Sequence, residues 1–214
     1  MMQRRQFHAL TTGTLFAGLS AASLLPRRAF ASVAVGQTAP DFRLNDTGGQ
    51  PVSLSQFRGK LVVLEWNNPG CPFVRKHYQG NMQSLHKDFT HQGVVWLAIN
   101  STETQSADYL EPAQLAKWMR EKGASPTATL MDQDGTVGAA YGARVTPHMY
   151  IVDTQGKLVY AGGIDSIASA RESDIGKATN YVRQGLTELL AGKAVSAPTS
   201  QAYGCSIKYK SGAT

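Results

Sequence analysis

Two residues of this 214-residue chain can do redox chemistry at sulfur, Cys71 and Cys205, its only cysteines. Cys71 lies in the stretch WNNPGCPFV (66–74), after an apolar run and before a helical pattern that opens at Pro72. That places it at the N-cap of a helix, at the carboxyl end of a buried strand, where open α/β sheets tend to carry their sites. Free N–H groups and the positive end of the helix dipole stabilise an anion there, and a thiolate is such an anion. Arg75, Lys76 and His77 follow within two turns and add to this wherever they lean towards the sulfur. Val74 stands three residues on, where a dithiol site would carry its second cysteine. Other readings remain open at this point. Cys71 could be an inert core residue, a metal ligand with His77, for which His148 is the best candidate third ligand, or half of a Cys–His pair, for which no orienting Asn or Asp is singled out. A Cys71–Cys205 disulfide could also serve only as a staple, closing a long loop and adding about 4–5 kcal/mol in the chain-entropy model.

The second informative stretch is ARVTPHMYIVD (143–153). A proline at the start of a buried strand has no N–H for a sheet ladder. The Thr146–Pro147 bond is therefore trans at a strand edge, or cis in a tight turn that leaves nearby backbone groups free for an extended substrate.

The surrounding elements follow from periodicity. DFRLN and PVSLS around Thr47–Gly49 predict a hairpin. KLVVLEWNN (60–68) and GVVWLAINS (93–101) predict strands buried on both faces. Val74, Tyr78, Met82, Leu85 and Phe89 give one helical face, Pro112 and Gly123 bracket a second helix, and 174–192 forms a closing helix. TATLMD, PHMYIVD and the strand after Asp153–Lys157 complete the set, the last two as an antiparallel hairpin. Strands alternating with helices and ending in an antiparallel pair imply an α/β fold, a mixed central sheet flanked by helices. The chain divides into 1–31, a 32–192 domain, and an irregular tail, 193–214, carrying Cys205.

Residues 1–31 read as an export signal: Arg4 and Arg5 precede a Gly/Ser/Thr-diluted apolar stretch, and AFA (29–31) fits a cleavage site. The arginine pair, with Arg27 and Arg28, points to the twin-arginine route over the general secretory one. Four of the six net positive charges sit in this segment, leaving two for the rest, too few for a nucleic-acid footprint. No membrane span is expected after cleavage. The expected location is the periplasm or another exported compartment, where disulfides persist.

Taken together, 39–66, the cysteine-initiated helix, VTPHMYIVD and GKLVYAGG resemble the thioredoxin-fold redoxins of the alkyl hydroperoxide reductase/thiol-specific antioxidant branch, over about residues 35–192. The resemblance implies a thioredoxin-like fold with an N-terminal β-hairpin extension, a nucleophilic Cys71 and a cis Pro147 opposite it. NPGCPFVRKHY further resembles a peroxiredoxin-like subgroup with a single Cys-Pro-Phe-Val site. The implied activity is that of a thiol-dependent peroxidase, with peroxide or a protein disulfide as substrate, an external thiol as reductant, and neither cofactor nor metal. Cys205 is the candidate resolving cysteine; Pro147, Thr146, Asn67, Asn68, Pro72 and Arg144 are candidates for shaping the substrate site. Asn68 and Leu64 replace the Thr/Ser and Pro of the usual peroxiredoxin pattern, so Asn67, Asn68, backbone N–H groups or Arg144 would have to polarise a peroxide. The alternatives are a periplasmic thiol–disulfide oxidoreductase and a non-catalytic redoxin-fold binding protein.

Overall fold

The computed structural model describes residues 32–210; the export signal proposed for 1–31 lies outside them. A seven-stranded mixed sheet runs in the order β2-β1-β5-β4-β3-β7-β8. β3 (Val62–Trp66) and β4 (Val95–Asn100) pair in parallel at its centre, and β5 (Ala128–Met131) continues in parallel beside β4. β7 (His148–Val152) and β8 (Leu158–Gly162) form the expected antiparallel pair on the other side of β3. The hairpin of β1 (Arg43–Asp46) and β2 (Pro51–Ser53) joins the far edge antiparallel to β5, so the extension widens the main sheet. This is a thioredoxin-like α/β fold.

β3 and β4 are buried on every residue, the polar Glu65 and Asn100 included. One face of the sheet packs α1 (Pro72–His77), α2 (Asn81–Thr90), α5 (Tyr181–Leu190) and Met119 of α3 (Pro112–Glu121). The other packs α4 (Thr136–Tyr141) and the N-terminal segment against Leu64, Trp66 and Tyr150. Among the described residues no helix is long and apolar enough to cross a membrane.

Three local differences from the sequence reading have physical causes. The helix expected from Pro72 to Phe89 is two, because Gly80 takes φ 125°, a conformation closed to residues with a side chain. Its apolar spacing survives the break, so periodicity alone reads through it. The closing helix begins at Tyr181, where the Asn180 side chain caps the Arg183 N–H at 2.9 Å; Glu172–Lys177 is a 3-10 turn. α4 escapes the pattern because Thr136, Val137 and Gly138 are weak helix formers. The buried Asp132 carboxylate compensates by accepting from the Val137 and Gly138 N–H groups, at 3.1 and 2.9 Å.

Candidate active site

Cys71 occupies the N-cap of α1 with extended backbone, and Pro72 takes the first helical position. The turn leading into it is built by asparagines. Asn68 accepts from the Gly70 N–H at 2.7 Å, donates to Thr102 Oγ1 at 3.3 Å, and its carbonyl takes the Cys71 N–H at 3.0 Å. Asn67 lies one residue past the strand and donates to Tyr78 Oη and Glu65 Oε1, at 3.2 and 3.4 Å. Both asparagines therefore shape the turn, and neither side chain hydrogen-bonds the sulfur.

The basic residues of α1 also turn away. Arg75 Nε donates to the Pro69 carbonyl at 2.7 Å, Lys76 Nζ reaches Asp165 at 3.3 Å, and His77 Nε2 faces Tyr203 Oη at 3.2 Å. Their expected support of a Cys71 anion is corrected accordingly: these contacts hold the helix in place. Arg144 is exposed and makes no side-chain hydrogen bond to the site. His148 packs on Tyr150, with Nδ1 3.2 Å from its hydroxyl, so His77 and His148 do not converge with Cys71. Among the described residues no three His, Cys, Asp or Glu groups are placed to hold one metal ion.

Thr146 and Pro147 do meet Cys71. The Thr146–Pro147 bond is cis, and Cys71 Sγ lies 3.0 Å from the Thr146 carbonyl oxygen. The bond separates β7 from the two-residue strand β6 (Val145–Thr146), which leaves the main sheet and pairs with β9 (Cys205–Ser206). In that antiparallel pair Thr146 is opposite Cys205 and Val145 opposite Ser206. Gly204 sits at φ 141° against the Thr146 carbonyl, where a Cβ would collide, so only glycine admits the approach.

The tail is thus a strand laid over the cysteine. Ser200 hydrogen-bonds Tyr160 and the Gly163 N–H, Ile207 N donates to Arg144 O at 3.0 Å, and Lys208 O accepts from Glu103 N at 2.8 Å. Cys71 is left 2% exposed and Cys205 half-buried, both as free thiols. Burial, then a hydrogen bond to Cys71 and the charge of Cys71, push the Cys205 thiol up to about 11.

Two residues around this site went unnoticed in the sequence. Glu65, buried in mid-strand, touches both Asn67 and Tyr78; a lone acid inside an apolar run was its signal. Asp165, 3% exposed after β8, gave none.

The buried titratable groups set an acid limit on stability. Burial lowers His77 and His148 from 6.5 to about 4, with the charges of Lys76 and Arg144 respectively adding to it. Each histidine is neutral when folded and takes up a proton on unfolding, so its contribution is complete above pH 6.5 and is lost as pH falls towards 4. Asp132 works in reverse: burial raises it to about 6 against its hydrogen bonds, so it favours the folded state on acidification. Two groups outweigh one, and stability should fall by about 2 kcal/mol between pH 7 and 5. Urea midpoints at the two pH values measure this; an unchanged or higher midpoint at pH 5 contradicts it.

Residues 35–161 match the model of the AhpC/TSA family. The thiol-disulfide oxidoreductase ResA of Bacillus subtilis is 30% identical over 128 residues, 60% of this chain and 66% of that relative. The chloroplastic peroxiredoxin Q of Sedum lineare is 28% identical over 171 residues, covering 70% of this chain and 91% of that one. The crystal structure of an uncharacterized conserved protein from Geobacillus kaustophilus superposes with a TM-score of 0.75 at 31% identity, covering 83% of this chain and 93% of that one. With a thioredoxin-like sheet, a helix-capping cysteine and a cis-proline facing it, the chain belongs to the AhpC/TSA family, as a thiol-dependent redox protein of the redoxin type.

Proposed function

We propose that this chain is an exported thiol–disulfide oxidoreductase that alternates between a Cys71/Cys205 dithiol and a Cys71–Cys205 disulfide. The observation that carries the reading is the register of β9 on β6, which sets Cys205 opposite Thr146, the residue whose carbonyl oxygen lies 3.0 Å from Cys71 Sγ. The Cys71 thiolate attacks one sulfur of a substrate disulfide, forming a mixed disulfide and releasing the other sulfur as a thiolate that takes up a proton. Cys205, losing its proton, then attacks Cys71 Sγ and expels the second substrate thiolate. The substrate gains two electrons, the chain loses two, and an external dithiol restores it. Thr146, Pro147 and Pro72 shape the groove; Asn67 and Asn68 hold the turn that presents Cys71. Residues 1–31 serve as the signal that delivers the chain to the periplasm, 32–192 as the redox domain, and 193–214 as the tail that brings the second sulfur.

Similarity to ResA supports exchange over peroxide reduction. So does the hydrogen bonding of Cys71 Sγ: its partner is the Thr146 carbonyl oxygen, while the Asn67 and Asn68 side-chain amides donate elsewhere. Splitting a peroxide needs donors aimed at the departing oxygen.

The Cys205→Ser variant is the direct test. Reduced and mixed with oxidised glutathione, it should accumulate one glutathione adduct on Cys71 by intact mass, whereas the wild type resolves to the internal disulfide. If neither protein reacts while both consume hydrogen peroxide rapidly, the peroxidase reading replaces this one. A Cys71–Cys205 bridge that survives mild reductant would make the pair a staple.

A further inference from the structure

The tail is fixed by more than its two-residue strand. Tyr203, two residues before Cys205, puts its hydroxyl on the Asp165 carboxylate, with His77 Nε2 3.2 Å away. Its ring meets Phe73 edge-on at 5.7 Å between centroids, and Lys76 Nζ lies 5.8 Å from its centre. Lys76 closes the cluster through Asp165 Oδ2 at 3.3 Å and the Ile167 carbonyl at 3.4 Å. Lys76, His77 and Asp165 are each at most 3% exposed.

A buried ion pair costs desolvation that an apolar pair of the same shape would avoid. The folded core does not require one here, since α1 already buries Val74 and Tyr78 against the sheet. What the cluster does achieve is a polar socket on the helix that Cys71 caps. Phe73, Lys76 and His77 are spaced three and four apart, so they line one side of that helix. The bend at Gly204, at φ 141°, joins the residue seated in the socket to the one that pairs with Thr146 over Cys71. The nucleophile caps the six-residue helix that carries Phe73, Lys76 and His77, and one residue separates the anchor from the second sulfur. Upstream, the next side-chain tie of the tail is Ser200, and without Tyr203 the intervening segment becomes a loose tether.

We propose that Tyr203 is a positioning residue: its hydroxyl, seated in the Lys76–His77–Asp165 socket, holds Cys205 against Cys71 and keeps the tail closed over the nucleophile. This rests on the exchange reading for the role of Cys205, but the closure of the tail can be measured without it.

Two readouts test the anchor at a temperature where circular dichroism shows every variant folded. The first is the equilibrium of the Cys71–Cys205 disulfide with glutathione buffers. The second is the rate of Cys71 alkylation by iodoacetamide in a Cys205→Ser background. Tyr203→Phe, which keeps the ring against Phe73, should weaken the internal disulfide about ten-fold and speed alkylation by a similar factor. Tyr203→Ala should do more, and Asp165→Asn should resemble the phenylalanine variant. Tyr209→Phe, which loses only a bond to the Ala143 carbonyl at the strand edge, should stay within about two-fold of wild type. A general loss of stability would not rank the variants in this order. Should Tyr203→Ala fail to fold, Tyr203→Phe and Asp165→Asn decide. Values within two-fold of wild type for both would overturn the anchor. If the wild type forms no internal disulfide but alkylation still follows the Tyr203 series, the exchange reading falls and the anchor stands.

Discussion

Cys71→Ser should lose more than about a thousand-fold in the rate of disulfide exchange, measured as dithiol-driven reduction of a peptide disulfide. A serine hydroxyl is not a nucleophile at neutral pH without a base, and nothing around residue 71 supplies one. Cys205 cannot take over. With Cys71 gone, the hydrogen bond and the charge that raise its thiol disappear, yet burial, the largest cause, remains. Its sulfur also sits in a strand pinned against the Thr146 backbone, so an incoming disulfide would have to unseat the tail first. The fold should tolerate the change, because a serine hydroxyl can donate to the Thr146 carbonyl as the thiol does. Stability should move by no more than about 1 kcal/mol. A serine variant that keeps a tenth of the wild-type rate would remove Cys71 from the reaction.

The parts of the site that local sequence determines were legible. A cysteine between a both-faces-buried strand and a proline-opened helix can hardly be other than an N-cap, and Thr146–Pro147 was marked by a proline where a ladder N–H should be. What was not legible depends on distance along the chain. The tail has no periodicity because it forms no amphipathic element: it lies as a single strand, held by Ser200, Tyr203 and Ile207 to partners that span the molecule. Lys76 and His77 read as helpers of the thiolate and Asp165 gave no sign, since only the fold buries the three together. The same limit applies to Arg75–His77 as helpers of the thiolate. Their position in the sequence was right, but Arg75 turns back to the Pro69 carbonyl while Lys76 and His77 turn together to Asp165 and Tyr203, and none hydrogen-bonds the sulfur.

Glu65 is the residue whose loss should cost the fold most. It points from β3 into the core layer that holds α1 and is fully buried. One oxygen accepts from Tyr78 at 2.7 Å and Asn67 at 3.4 Å; the other accepts from Trp96 Nε1 at 2.8 Å. His86 Nδ1 accepts from Ser125 N, which leaves the ring hydrogen on Nε2, 3.6 Å from that second oxygen. Burial by itself would raise the carboxyl, but His86 first, then Tyr78 and Trp96, bring it below its ordinary value of 4.5. A carboxylate lowered on folding stabilises fully above the unfolded value, and that contribution is lost as pH falls through the folded one, below pH 4.5. Glu65→Ala leaves Tyr78 and Trp96 without an acceptor in a dry core and removes the charge beside His86, and should cost about 3–5 kcal/mol, a third or more of a typical domain's stability. Glu65→Gln should cost only about 1–2 kcal/mol, because its oxygen can serve Trp96 while its amide donates to a Tyr78 hydroxyl that turns to accept. The alanine variant should also loosen the Cys71 turn from both sides, since Glu65 ties Asn67 at the strand exit to Tyr78 at the end of α1. Urea unfolding at pH 7 measures the first effect and iodoacetamide labelling of Cys71 in a Cys205→Ser background the second. An alanine variant within 1 kcal/mol of wild type would mean that these donors find other partners, and that the turn presenting Cys71 is held by its own backbone alone.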